Sequence, residues 1–372
     1  MRRVWKFLKR TFLVLVSLLI LFTIAVFVFV GTAPQIGESP SGADLERIEA
    51  SPNYGDGEFI NLIPTALGSF GEMMGTLPDA IWGENLAPDS VLPVKFGEAG
   101  NQTIDTLTYI TWYGHSAFLI ETSGYRILID PMLGEYSAPV SFGTQRYPYE
   151  EPIPIEELTD IDILILSHDH YDHLDYATVI QLKDEVAHFY TALGVGSHLK
   201  SWDIPEEKIT ELDWWESNKV GEVELIATPA RHFSGRGILD RNKTQWASWV
   251  IRTADVNLYF SGDGGYGPHF EEIGNQYGPF DLAMLECGQY NEAWSQIHMM
   301  PEESVLAGLD VRADLIMPIH WGAFALSVHE WTDPILRFKA ESGRRGLPMV
   351  HPYIGERFVL GIDFPREEWW LE

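Results

Sequence analysis

The longest apolar run comes first. Thr11 to Val30 is twenty residues without a charge or a proline, and Arg2, Arg3, Lys6, Lys9 and Arg10 precede it. At 1.5 Å per residue it reaches roughly 30 Å, the thickness of a bilayer's hydrocarbon core. A secretory hydrophobic region is usually about 7–15 residues, so this one is long for a cleaved signal. The basic flank belongs on the cytoplasmic side. The pattern therefore predicts an uncleaved, single-pass transmembrane helix within residues 1–34. The remainder then lies outside that membrane, in the periplasm if the cell is Gram-negative. Gly31-Thr-Ala33-Pro34 offers small residues for cleavage, so a removed signal stays open, as does a buried core helix.

The pattern changes after Pro34. Up to about Thr103 the chain is rich in Gly, Pro, Ser and Asn and has no apolar period, which predicts a tether and an irregular extension packed on the domain over 35–103. Within it, Phe59 to Phe70 is apolar enough to line a groove or touch lipid, or simply to cover the core. Residues 104–372 then read as the catalytic domain. Short apolar runs bounded by turn residues predict strands at Leu107–Trp112, Ala117–Thr122 and Tyr125–Asp130, a meander. Ile161 to Leu166 has no turn residue and reads as a strand buried on both faces. A helix follows from about Asp175 to Lys183, with Asp175 as its N-cap. Glu222–Thr228, Ser248–Arg252, Asn257–Ser261, Asp281–Glu286 and Asp314–Pro318 continue the strands. Pro301 opens another helix. Two halves of strands and helices predict an α+β protein, an αββα four-layer sandwich.

Composition narrows the chemistry. The 372 residues are 45% hydrophobic, ample for a core. The single cysteine, Cys287, excludes an intramolecular disulfide and a thiolate metal cluster. The formal net charge is −29, and −34 without residues 1–34, which hold five bases and no acid. Such a surface repels phosphate backbones and argues against a nucleic-acid partner.

The densest chemistry follows the Ile161–Leu166 strand. Three histidines and two aspartates occupy the six positions from His168 to His173. Imidazole and carboxylate are ligands that zinc prefers, although iron and manganese accept similar sets. His168 and His170 alternate, so in an extended loop they point the same way. Asp172 and His173 then reach a second point a few ångströms off.

Ser-His168-Asp-His170-Tyr-Asp172-His173 fits H-x-H-x-D-H and resembles the metallo-β-lactamase superfamily. That resemblance implies a dinuclear centre whose remaining ligands sit at later strand ends. His232, Asp263 and His320 each follow a predicted strand in matching order. The implied set is His168, His170 and His232 on one zinc, Asp172, His173 and His320 on the other, and Asp263 as the bridge. Two cations lower the pKa of a shared water and make a nucleophile at neutral pH, which is metal-assisted hydrolysis. Gly114-His115-Ser-Ala resembles a segment that opens one branch of the superfamily. His115 is thus expected beside the metal site, with a structural histidine as the alternative.

Pro229-Ala-Arg-His232, Gly262-Asp263-Gly-Gly-Tyr266, Gln296-Ile-His298-Met-Met-Pro301 and His320-Trp-Gly322 resemble the N-acylphosphatidylethanolamine-hydrolysing phospholipase D branch. The likeness runs from about Leu107 to Phe324. It implies cleavage of a phosphodiester in a phospholipid. It puts His298 beside the phosphate, as a binding or proton-transfer residue together with the catalytic Asp172. It puts Gln289, Tyr290 and Trp294 at the substrate mouth. The plain alternatives are a capping histidine before Pro301 and ordinary packing residues. Arg231, Arg236, Arg241 and Lys243 are the local cations for an anionic head group. The resemblance also implies a possible homodimer. A lactonase or other carboxylic-ester hydrolase would use the same centre on carbon, and a non-catalytic binding module is disfavoured by the full ligand set.

Overall fold

The computed structural model describes residues 2–97 and 106–371. The expected boundary between residues 103 and 104 lies outside the described residues. Helix α1 (Arg2–Thr32) is exposed along its whole length. Next come α2 (Ala43–Glu49), a hairpin of β1 (Tyr54–Gly55) and β2 (Glu58–Phe59), and the short helices α3 (Phe70–Gly75) and α4 (Leu77–Trp82). This part is more ordered than the composition suggests. From Pro34 the chain is docked on the domain where a tether is expected, because Ile36, Ile48 and Phe59 are apolar and buried.

The first sheet takes β3 (Tyr109–Trp112), β4 (Phe118–Thr122), β5 (Tyr125–Ile129), β6 (Ile161–Leu166), β7 (Val186–Ala192) and β8 (Ile209–Leu212), with α5 (Tyr176–Leu182) and α6 (Gly196–Ser201) between its later strands. The second takes β9 (Ser217–Val220), β10 (Val223–Thr228), β11 (Ser248–Arg252), β12 (Asn257–Phe260), β13 (Leu282–Glu286) and β14 (Ile316–Ile319), with α7 (His269–Tyr277) and α8 (Pro301–Asp310). After α9 (Asp333–Arg345), β15 (Arg357–Val359) returns to the first sheet. The orders are β15-β3-β4-β5-β6-β7-β8 and β14-β13-β12-β11-β10-β9. Apart from β15, the first sheet comes from residues 109–212 and the second from residues 217–319.

The sheets face each other across an apolar core, and Phe118 meets Phe260 with ring centroids 6.3 Å apart. From Ile163 onward β6 is buried at every position, as its unbroken apolar run requires. Asp175 caps α5, accepting from the Ala177 and Thr178 amides. On the outer side α8 lies close against β13 and β14. A Cβ at Gly308 would sit 2.7 Å from Ile316 Cγ2, so only glycine allows that approach.

Strand direction positions the site. β3 and β5 are each antiparallel to β4, and β6 is parallel to β5. β10 and β12 are each antiparallel to β11, and β13 and β14 run parallel to β12. The C-terminal ends of β3, β5 and β6 therefore share one edge, as do those of β10, β12, β13 and β14. Loops leaving those ends meet over the core.

Candidate metal centre

The structure brings all seven expected ligands into one buried cluster. Nε2 of His168 lies 2.8 Å from Nδ1 of His170, which lies 3.2 Å from Nε2 of His232. Asp263 reaches the middle of the group with one oxygen. Its Oδ2 is 3.1 Å from His173 Nε2, 3.2 Å from His320 Nε2, 3.8 Å from His232 Nε2 and 3.9 Å from His168 Nε2. Asp172 Oδ2 stands 3.6 Å from His173 Nε2 and 3.9 Å from His320 Nε2.

Hydrogen bonds behind the cluster decide what the inward atoms are. His232 Nδ1 donates to the Ile297 carbonyl at 2.9 Å, and His173 Nδ1 donates to Asp130 Oδ2 at 2.7 Å. Both rings donate through Nδ1, so Nε2 is the nitrogen each turns inward, and in the neutral ring it carries the lone pair. Ser167 Oγ holds His168 Nδ1 at 2.9 Å, and Ser116 Oγ holds His320 Nδ1 at 3.3 Å. In its neutral form His173 therefore sets an Nε2 lone pair 3.1 Å from a carboxylate oxygen. Such an approach repels unless a proton or a metal cation lies between the two atoms. The Nε2 of His173 and the Oδ1 of Asp263 are both buried without a hydrogen-bond partner.

Electrostatics points the same way. Burial holds His168, His232 and His320 well below the usual imidazole value, so they are neutral with lone pairs to offer. His173 goes the other way. Burial opposes its proton, but Asp263, Asp172 and Asp130 outweigh burial and raise it. A divalent cation supplies the positive charge that proton otherwise brings. The donor set fits a metal pair. Nitrogens bound to one tetrahedral zinc lie roughly 3.3 Å apart, close to the spacings in the His168, His170 and His232 triplet.

His115 is also brought in. Its Nε2 bonds Asp172 Oδ2 at 2.9 Å, and its ring lies 4.2 Å from that of His320. It is fully buried, so it orients Asp172 from behind and is not placed to touch substrate. His298 faces the cluster, its ring stacked at 5.3 Å on His320 and 5.0 Å from His232. Its Nδ1 bonds Glu286 Oε1 at 2.9 Å. Burial pushes that carboxyl up to about 7, with His298 pulling against the rise.

Other expectations are revised. Gln289 is buried and fully used by its loop: Nε2 donates to the His320 and Phe324 carbonyls, and Oε1 accepts from Leu326. Tyr290 is buried, bonded to Asp333 and stacked on His329. Both brace the loop and have no polar atom left for a substrate. Trp294 is half-buried and donates to the Gln289 carbonyl. Among the cations, Arg236 is buried and bonds only main-chain carbonyls, so it is not a head-group ligand. Arg231 bonds Thr65, Pro64, Tyr266 and Gln296, and Lys243 bonds the Gly57 carbonyl.

Three positions were not singled out for the site. Asp130, at the end of β5, holds Ser167 and His173 together. Glu286, at the end of β13, orients His298. Asn61 accepts from the His232 amide and donates to its carbonyl. A carboxylate ending an apolar strand is the only local signal for the first two.

Comparison with known proteins agrees with this geometry. Fold and site together define a metal-dependent hydrolase of the metallo-β-lactamase fold. Residues 125–321 match the β-lactamase superfamily domain, and the chain belongs to that family. It is 39% identical over 340 residues to an uncharacterised protein of Mycobacterium tuberculosis, covering 88% of this chain and 91% of the relative. It is 33% identical over 256 residues to N-acyl-phosphatidylethanolamine-hydrolyzing phospholipase D 1 of Caenorhabditis elegans, covering 65% and 72%. A metallo hydrolase of Ignicoccus hospitalis superposes with a TM-score of 0.52 at 20% identity, covering 69% and 99%, which shows the shared fold.

Proposed function

We propose that this chain is a membrane-anchored phosphodiesterase that holds two zinc ions and hydrolyses an N-acylphosphatidylethanolamine-type phospholipid. The products are phosphatidic acid and an N-acylethanolamine. His168, His170 and His232 would hold one ion and Asp172, His173 and His320 the other, with Asp263 available to both. Bound there, the ions would supply a nucleophile from water at neutral pH and offset charge on the phosphoryl oxygens.

The chain's own residues do the rest. Glu286 accepts from Nδ1 of His298, which leaves Nε2 for the substrate. His298 steadies a phosphoryl oxygen and passes a proton to the ethanolamine oxygen as its bond to phosphorus breaks. His115 keeps Asp172 turned toward the site.

One observation carries the lipid reading. Asn61 is bonded on both sides to the backbone of His232, so the exposed Ile60 and Leu62 flank a metal ligand. Met73, Met74, Leu77, Ile81 and Trp82 on α3 and α4, in the same N-terminal segment, are further exposed apolar side chains. An acyl chain beside the metals suits that surface; a small polar lactone has no use for it. Helix α1 is read as the anchor, with the catalytic domain outside the membrane it spans.

The test is hydrolysis by the purified zinc-loaded chain, offered N-acylphosphatidylethanolamine and a panel of lactones. Release of the N-acylethanolamine is expected. Lactone turnover with the phospholipid untouched would overturn the assignment and favour an ester hydrolase.

A further inference from the structure

Among the described residues, two of the most exposed large apolar side chains outside α1 are Phe142, 86% exposed, and Leu239, 82% exposed. They lie far apart in sequence, yet their loops hold the same short segment, the exit of α1. Gln35 Nε2 donates to the Pro139 carbonyl at 2.8 Å, on the loop that ends in Phe142. Arg236 donates to the Gln35 carbonyl at 2.7 Å and to the Ile36 carbonyl at 3.2 Å, and Ile238 and Leu239 follow it after Gly237. Trp202 adds a bond to the Pro34 carbonyl at 2.7 Å.

There is almost no slack at this junction. Ala33 alone separates α1 from the docked turn Pro34–Ile36, and its amide still bonds Phe29. Two helical rises and two extended residues carry the chain at most roughly 10 Å beyond Val30. The interfacial layer of a bilayer is roughly 5–8 Å deep on each side. A domain fastened that closely to a spanning helix has its attachment face at the head groups.

We propose that the loops tipped by Phe142 and by Ile238–Leu239 enter the interface of the bilayer that holds α1, and that Arg236 fastens this contact to the metal loop. The occupant of the apolar tips is phospholipid. This rests on the reading of α1 as a membrane anchor. Asp240 keeps the second tip in shape, its carboxylate accepting from the Arg236 and Gly237 amides. Phenylalanine and leucine at loop tips are suited to the boundary between head groups and acyl chains. The same guanidinium that holds the exit of α1 also donates to the Asp169 and Leu174 carbonyls, on either side of the ligands His170, Asp172 and His173. Tyr171 closes the tie by donating to the Arg236 carbonyl at 2.6 Å. The metal loop is therefore held at a fixed place relative to the membrane surface.

The single native cysteine makes this testable. Cys287 is buried and its thiol is pushed up by burial, so it does not compete for a thiol-reactive dye. Phe142→Cys, Leu239→Cys, Phe22→Cys and Ile362→Cys each receive a polarity-sensitive fluorophore in the full zinc-loaded chain. The proteins are reconstituted into phosphatidylethanolamine/phosphatidylglycerol vesicles. Ile362 follows β15 at the opposite end of β3 from the site and is 61% exposed, so it serves as the aqueous reference. Residues 142 and 239 should show blue-shifted emission, quenching by a lipid-borne quencher and several-fold weaker quenching by iodide than residue 362. Lipid quenching at 22 with ordinary iodide quenching at 142 and 239 would overturn the interface contact and leave the anchor standing. Aqueous behaviour at 22 as well would overturn both. Shielding of 142 and 239 from iodide and lipid alike would mean a protein partner covers them, and would also overturn the proposal.

Discussion

Nδ1 of His298 lies 2.9 Å from the Glu286 carboxylate, which also accepts the Met299 amide at 3.1 Å. The pair fixes a mostly buried histidine so that it faces the histidine–aspartate cluster. Glu286→Gln keeps the shape and removes the charge. Turnover should fall about 10-fold with KM little changed, whereas His298→Ala should lose about 10²–10⁴-fold. The double variant should be no slower than His298→Ala alone. Independent, multiplying losses in steady-state kinetics would show that Glu286 does not act through His298.

Asp130 joins three donors: the Ser167 amide at 2.7 Å, the Ser167 hydroxyl and His173 Nδ1 at 2.7 Å. Asp130→Asn offers one acceptor where two are needed. Zinc affinity should weaken by about 10–100-fold, measured by competition with a chromophoric chelator. An unchanged affinity would assign Asp130 to the fold alone.

Metal removal should loosen the protein as well as silence it. The cluster turns five imidazoles and two carboxylates inward against one another. A cation present at about 1,000 times its Kd stabilises the folded state by about 4 kcal/mol. Chelation should lower the Tm by several degrees, and zinc should restore it. Asp263→Asn, which removes the shared charge, should abolish hydrolysis and leave fewer than two zinc ions per chain by elemental analysis. Full activity in that variant would mean the centre is misread.

Arg236 is a buried cation whose bonds all go to carbonyls of two distant segments. Bonds to a charged group are worth about 1.5–3 kcal/mol each. Arg236→Met should destabilise by at least about 3 kcal/mol in urea unfolding, and the zinc affinity of what remains folded should drop. A loss below about 0.5 kcal/mol, the range of an ordinary surface change, would remove the tie between anchor and metal loop.

His269 sets an acid limit away from the metals. Burial, helped by Arg231, lowers it from 6.5 to about 3. The unfolded chain binds a proton below about 6.5 while the folded chain does not. Its contribution is therefore complete above that value and lost as pH falls toward 3, by up to about 1.4 kcal/mol per pH unit. His269→Gln should lose less stability between pH 7 and pH 4.5 than the parent does. Equal losses in urea titrations at the two pH values would show that His269 does not titrate this way.

Much was legible before any coordinates. Unbroken or bounded apolar runs place β6, β10, β11, β12 and β13 within a residue or so, because burial on both faces leaves a local mark. The H-x-H-x-D-H loop and the histidine or aspartate after each later strand are local too. β15 was not legible: three residues headed by Arg357 become a strand only by pairing with β3. β7 was missed for a similar reason, since His188 and the exposed Ala187 interrupt its apolar run. Side-chain chemistry at one position, and its spacing from neighbours, is written in the chain itself. The tertiary structure decided which ring nitrogen faces inward, that Asp130 and Glu286 stand behind the candidate ligands, that Gln289 and Tyr290 brace a loop, and that the exit of α1 is clamped to the His168–His173 loop. Apart from Ser167 beside His168, each of these depends on a partner 12 or more positions away, and only folding brings such partners within hydrogen-bonding distance.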